Sequence, residues 1–327
     1  MAGVAVVTAS DRSPSRVREF LRRLRGGDAI AHTITMTFAA SILLITALLV
    51  LELFRQSALT REKFGLGFFF GRMWDPVAGA FGALPFIYGT LVTSALALLM
   101  AVPLGLGAAI FLSEMAPPRI SDALTFIIEL LAAVPSVIYG LLGIFILVPF
   151  MRDIGGPALI RAFGYLPLFS GPSYGVGVLT ASIVLAIMIL PFIVSISREA
   201  LLAVPREQRE AALALGATRW ESTWQVVVPF ARLGIVGSVF LGLARALGET
   251  MAVTMVIGND PRIHASMLAP GYSIAAIIAN EFTEATDDLH LSALVELGLV
   301  LFLLTIIING LARVFILATA GRGTARS

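Results

Sequence analysis

Long apolar runs alternate along this chain with short polar segments, and the runs set its architecture. A helix needs about 20 predominantly apolar residues to cross a bilayer. Six stretches reach that length: 29–53, 84–112, 123–150, 176–196, 233–257 and 293–317. Several exceed the minimum, so tilted or kinked helices are expected. Pro103, Pro135 and Pro191 fall inside these stretches, where the missing amide hydrogen and the ring clash bend a helix. No alternating strand pattern or internal repeat stands out. The expected fold is therefore all-α: a polytopic membrane protein with six transmembrane helices. Its parts are a basic tail over 1–28, a first anchor and outer loop over 29–83, a transmembrane domain over 84–317, and a tail over 318–327.

Composition agrees with this class, being 58% hydrophobic and 13% charged. That is about half the charge fraction of a soluble domain. Basic residues give the orientation, because positive charge gathers on the cytoplasmic side. The six arginines before Asp28 are followed on the same side by Arg119, by Arg198, Arg206, Arg209, Arg219 and Arg232, and by Arg313, Arg322 and Arg326. The opposite side holds fewer: Arg55, Arg61, Lys63, Arg72, Arg152, Arg161 and Arg262. Both termini are expected in the cytoplasm, with the chain in a bacterial cytoplasmic membrane. Val17, Phe20, Leu21 and Leu24 share one face of a helical pattern whose other positions carry arginines. Such a segment either lies on anionic lipid or remains a basic tail.

Several chemistries drop out. With no cysteine there is no disulfide, thiolate nucleophile or cysteine metal site. His32, His264 and His290 are too scattered to suggest a metal centre. Lys63 is the single lysine and stands in "REKFG", so the chain lacks the Walker A loop that would bind ATP. Nothing in the charge pattern points to nucleic acid. "GPSYG" at 171–175 matches a hydrolase elbow pattern but lacks the flanking strand and helix, and reads as a loop turn.

Two segments do not fit a plain bundle. The first is the polar loop at about 204–230, "VPREQREAALALGATRWESTWQVVVPF". Pro205 suits a helix start, Gly216 supplies a left-handed stop, and Thr218 with Glu221 forms a capping box for a second short helix that Pro229 is expected to end. Ala211, Ala212 and Leu215 on one helix, and Trp220 and Trp224 on the next, make half-apolar faces. These faces suit a groove on a partner protein, or else the chain's own bundle or lipid.

The second is "RALGET", which places Arg245 and Glu249 inside the 233–257 stretch. Each central charge opposes insertion by about 2.5–3.5 kcal/mol. Residues four apart on a helix can pair locally. They can also form a station for a passing oxyanion, the guanidinium offering forked donors and the carboxylate an acceptor. Gly242, Ala246 and Gly248 leave room beside them. Glu52, Glu129 and Glu296 are expected near span ends, reaching water or headgroups.

Glu210, Ala211, Ala212, Gly216, Val226, Val228 and Pro229 match the EAA signature of binding-protein-dependent ABC-importer permeases, with valine where isoleucine and leucine are commonest. "WDPVAGAFGALPFIYGTL", "AAVPSVIYGLLGIF", "RALGETMAVTMVIGN" and "IANEFTEATDDLHLSAL" further resemble the phosphate permeases of the PstC type. The resemblance implies a type I importer bundle whose coupling helix, with Glu210, Ala211, Ala212 and Gly216, docks on a separate ATP-binding subunit. It places Arg245 and Glu249 on the substrate path. It also implies a second homologous permease and an extracytoplasmic phosphate-binding protein, with no cofactor or catalysis in this chain. The competing readings are a permease for another oxyanion such as sulfate, or an ATP-independent secondary transporter or channel.

Overall fold

A computed structural model describes the backbone of residues 28–320 and the side chains of residues 30–314. The amphipathic reading of residues 17–24 lies outside the described residues. The described chain is helical: only two isolated bridges, Asp75–Ala80 and Gly258–Gly271, have strand-like pairing.

Two units are distinguished. The first contains nearly all of α1, Asp28–Gln56. Its apolar surface is exposed along its length, and its hydroxyls are satisfied internally, Thr35, Thr37 and Thr46 each donating to the carbonyl one turn back. That arrangement lets a threonine face hydrocarbon without an orphan donor.

The second unit, Gln56–Ser327, contains the other spans. Two short helices, α2 (Ala58–Phe64) and α3 (Gly67–Phe70), lead into α4, Leu84–Met115. An amphipathic helix α5 (Pro118–Ala133) follows, then α6 (Ser136–Phe163) and α7 (Val178–Leu202). After α8 (Arg206–Ala214) comes α9, Arg219–Leu247, then α10 (Met251–Val256), α11 (Ile274–Glu281) and α12 (Asp288–Ala320). Six helices among the described residues, α1, α4, α6, α7, α9 and α12, are long and apolar enough to span a membrane.

The core follows from small residues on facing helices. α7 is the most buried span and packs along α4, where Ala97, Ala101 and Gly105 admit Leu185, Ile189 and Ile193. Without a hydrophobic drive between helices in lipid, such close approach is what holds them. Gly89 shows how tight the fit is: a Cβ there would lie 2.0 Å from the Tyr272 carbonyl oxygen. A second cluster joins Phe68, Phe81, Phe86, Tyr272, Ile277, Leu294 and Leu297, and a third joins Leu112, Leu201, Val204, Val227 and Ala231.

Three expected helix boundaries are corrected. The 123–150 stretch is not one span. Val134 is extended and Pro135 precedes a new helix, so α5 ends at Ala133 and the span starts at Ser136. A proline drives its predecessor out of the helical region, and Val134 is extended accordingly. Pro103 and Pro191, in contrast, stay inside α4 and α7. The 233–257 stretch is also broken: α9 stops at Leu247, and Gly248 to Thr250 separate it from α10. Pro229 does not end a helix. A π turn over Thr223–Val227 passes the Val228 amide to the Thr223 carbonyl, and α9 runs through the proline. The wider ring shifts the hydrogen-bond register just where proline has no donor.

Candidate functional site

The polar loop folds much as its residues dictate. α8 ends in a Schellman closure, with Ala217 N–H donating to the Ala212 carbonyl and Gly216 N–H to the Leu213 carbonyl. Gly216 has φ +91°, with no atom within 4 Å of where a Cβ would stand, so the glycine is required by backbone conformation alone. The Thr218–Glu221 capping box is present in both directions.

Glu210, Ala211 and Gly216 are exposed, and Ala212 is half-buried. Leu215 is 91% exposed, and the half-exposed Trp220 and Trp224 lie with ring centroids 5.7 Å apart and planes tilted by 55°. The loop thus presents an apolar surface rather than folding it inward. What sequence reasoning missed is its anchor. Arg209 donates from Nε and Nη2 to the two carboxylate oxygens of Glu114, at 3.1 and 2.9 Å. It donates further to the carbonyls of Leu201, at 2.7 Å, and Val204. Glu114 gave no signal in the sequence, because its partner is 95 residues away.

Arg245 occupies the last turn of α9, and Glu249 lies in the break beyond it. They are therefore not two positions on one helix face, and no ion pair joins them. The guanidinium carbon of Arg245 sits 4.4 Å from the centre of the Phe192 ring on α7, a cation–π contact. The side chain is half-buried, and its Nε is buried without a hydrogen-bond partner. Gly242 admits Ile193 of α7 one turn away, 3.2 Å from the position of a Cβ. Glu249 accepts from the Ala252 amide at 3.2 Å, at the start of α10. Hydroxyls suited to lining a polar path bond to backbone instead: Thr254 to the Thr250 carbonyl, Tyr139 to the Leu131 carbonyl, Thr93 to the Gly89 carbonyl.

Glu296 corrects another expectation. It is 3% exposed, and one of its carboxylate oxygens is buried without a partner. Glu129 is exposed on α5, among Phe126, Ile127 and Leu130. The segments between spans hold further polar groups. Glu281 accepts from Trp74 Nε1 at 2.9 Å and lies 3.0 Å from His290 Nε2, whose ring stacks on Phe81. Arg262 forks onto Asp260 at 2.9 and 2.6 Å and holds its carboxyl below the usual carboxylate range. Asp260, Arg262, His264 and Tyr174 border a cavity of about 630 Å³.

A helical bundle broken inside an apolar stretch, with the exposed helix α8 and a capped turn between its fourth and fifth spans, has the form of a transport subunit. The chain belongs to the family described as "Binding-protein-dependent transport system inner membrane component", which it matches over residues 101–319. It is 47% identical over 306 residues to the "Phosphate transport system permease protein PstC" of Mesorhizobium japonicum, covering 92% of this chain and 94% of that one. A protein of the same name from Xylella fastidiosa strain Temecula1 is 50% identical over 257 residues, 77% of this chain and 79% of that one. The fold is also that of two solved importers. An inward-facing methionine ABC transporter, MetNI, superposes with TM-score 0.55 at 19% identity, over 76% of this chain and 99% of that one. A bacterial importer of the polysaccharide alginate gives 0.57 at 16%, over 90% and 98%.

Proposed function

We propose that this chain is the permease subunit of an ATP-driven importer of inorganic phosphate. An ATP-binding subunit docks on the surface made by Glu210, Ala211, Ala212 and Gly216, with Leu215, Trp220 and Trp224 beside it. Hydrolysis takes place in that partner. A second homologous permease completes the path, an extracytoplasmic binding protein delivers phosphate, and both termini face the cytoplasm.

One observation carries the substrate reading. Arg245 holds a permanent charge among apolar neighbours with no carboxylate against it, its Nε unpartnered and its face resting on Phe192. A guanidinium left open in this way meets a tetrahedral oxyanion with forked donors. Glu249, within the break, accepts a hydrogen bond from the O–H of a protonated phosphate and favours release. The names of the relatives support phosphate in particular.

The test is uptake by the reconstituted four-component importer in liposomes. Phosphate enters only with ATP, unlabelled phosphate competes, and sulfate does not. Arg245→Gln leaves the subunits co-purifying and stops uptake. Equal competition by sulfate makes the chain a permease for oxyanions generally, uptake without the ATPase makes it a secondary carrier, and normal uptake by Arg245→Gln removes the role given to that residue.

A further inference from the structure

The contacts of Arg209 are unlike those of the other paired arginines. Arg152–Asp153, Arg198–Glu199 and Arg262–Asp260 join near neighbours in the chain, and each pair has an exposed member. Arg209 and Glu114 join distant segments, and their side chains are only 20% and 10% exposed. One guanidinium thereby holds three pieces of backbone: the end of α4 through Glu114, the end of α7 through the Leu201 carbonyl, and the turn into α8 through the Val204 carbonyl. Carbonyls at a helix C-terminus lack partners within the helix, and a cation there also meets the negative end of its dipole.

Local geometry aims the carboxylate. α4 closes with a π turn over Phe111–Met115, the Ala116 amide reaching the Phe111 carbonyl. Removing the extra residue would rotate Glu114 by about 100° around the helix. From Leu201, α7 runs back about 13 Å to Phe192, the residue under Arg245. The apolar packing of Leu112, Leu201 and Val204 lies beside the clamp, and Glu114 and Arg209 border a cavity of about 220 Å³.

We infer that Arg209 is a positioning residue for transport: paired with Glu114, it ties α8 to the ends of α4 and α7, so that a push on α8 moves both helices together. The inference rests on the reading above that α8 receives the ATPase. Hydrophobic contact alone lets two helices slide past each other. A forked pair with two added carbonyl bonds fixes their register.

The experiment uses the complete importer in liposomes, with Glu114→Gln, Arg209→Gln and the double variant. Hydrolysis and uptake are read in the same vesicles. The subunits co-purify and ATP hydrolysis stays within about twofold, while phosphate carried per ATP falls about tenfold, the scale of one lost charge-assisted hydrogen bond. The double variant loses no more than either single one, because the two side chains act as one unit. An unchanged ratio overturns the inference. So does a proportional fall in hydrolysis and uptake, or loss of the ATPase, either of which would make the pair a structural contact only. Failure of the underlying reading looks different: the unaltered importer itself then takes up no phosphate with ATP.

Discussion

Arg245 tests how far a single residue's environment can be read from its neighbours in the chain. Its presence in an apolar stretch was anomalous from the sequence alone, since the charge opposes insertion by several kcal/mol. The residue that receives it, Phe192, was not legible: it lies on another span, and nothing about a phenylalanine in hydrocarbon distinguishes it. A cation over an aromatic face gains about 0.5–2 kcal/mol. Phe192→Leu keeps a bulky apolar side chain and loses the face, so phosphate uptake should fall about fivefold with assembly intact, whereas Phe192→Tyr should keep most of it. Uptake by Phe192→Leu at the normal rate would show that the ring only fills space. Glu296 is the opposite case. A carboxylate near a predicted span end reads as solvent-facing, yet the packing of α12 covers it. The Asp260–Arg262 fork gives a prediction with a sign. Arg262 lowers the folded-state pKa of Asp260, so its stabilising contribution is present above the usual carboxylate value and is lost as pH falls through the lowered one. Hydrogen exchange in the loop after Gly258 should stay slow from neutral pH down to the ordinary carboxylate range and rise below it once corrected for intrinsic rates. Asp260→Asn should remove that pH dependence.

At the scale of elements, the sequence was most informative where one residue type has one physical use. Gly216 needed a positive φ, and Thr218 with Glu221 needed a capping geometry; both are found as expected. Helix breaks were read less well. Apolar runs show where a chain meets lipid but not where its hydrogen-bond ladder stops, so the break at Gly248 to Thr250 leaves no mark in the hydropathy of the fifth stretch. Prolines are ambiguous for the same reason: Pro191 is held within α7, Pro135 separates two helices, and a π turn carries Pro229. Which outcome occurs depends on neighbouring helices, which a linear pattern does not contain. The turn between α8 and α9 offers a direct check. Gly216→Ala adds a Cβ where there is space but where φ is +91°, a backbone cost of about 1–2 kcal/mol. Membrane insertion should be unchanged, while the amides of Gly216 and Ala217 should exchange about tenfold faster and less ATPase should co-purify. Unaltered exchange would mean that the loop tolerates another closure.

For the whole molecule, the alternation of spans places distant surfaces on opposite sides of the membrane. Between Val77 and Leu215 the chain passes through α4, α6 and α7, an odd number of crossings. Both residues are open, at 99% and 91% exposure, and the chain contains no cysteine to confuse a thiol label. Val77→Cys should react in intact cells with a membrane-impermeant maleimide, and Leu215→Cys only after permeabilisation, if α8 is cytoplasmic as proposed from the arginine bias. The ATPase adds a second constraint. Leu215 lies at the end of the helix assigned to docking, so a bound partner should slow its labelling at least tenfold, roughly the effect of covering an apolar side chain worth about 1.5–3 kcal/mol. Val77→Cys should react equally well in either state. Labelling of both positions from one side would break the odd-crossing argument, and an unprotected Leu215→Cys in the assembled importer would move the docking surface elsewhere.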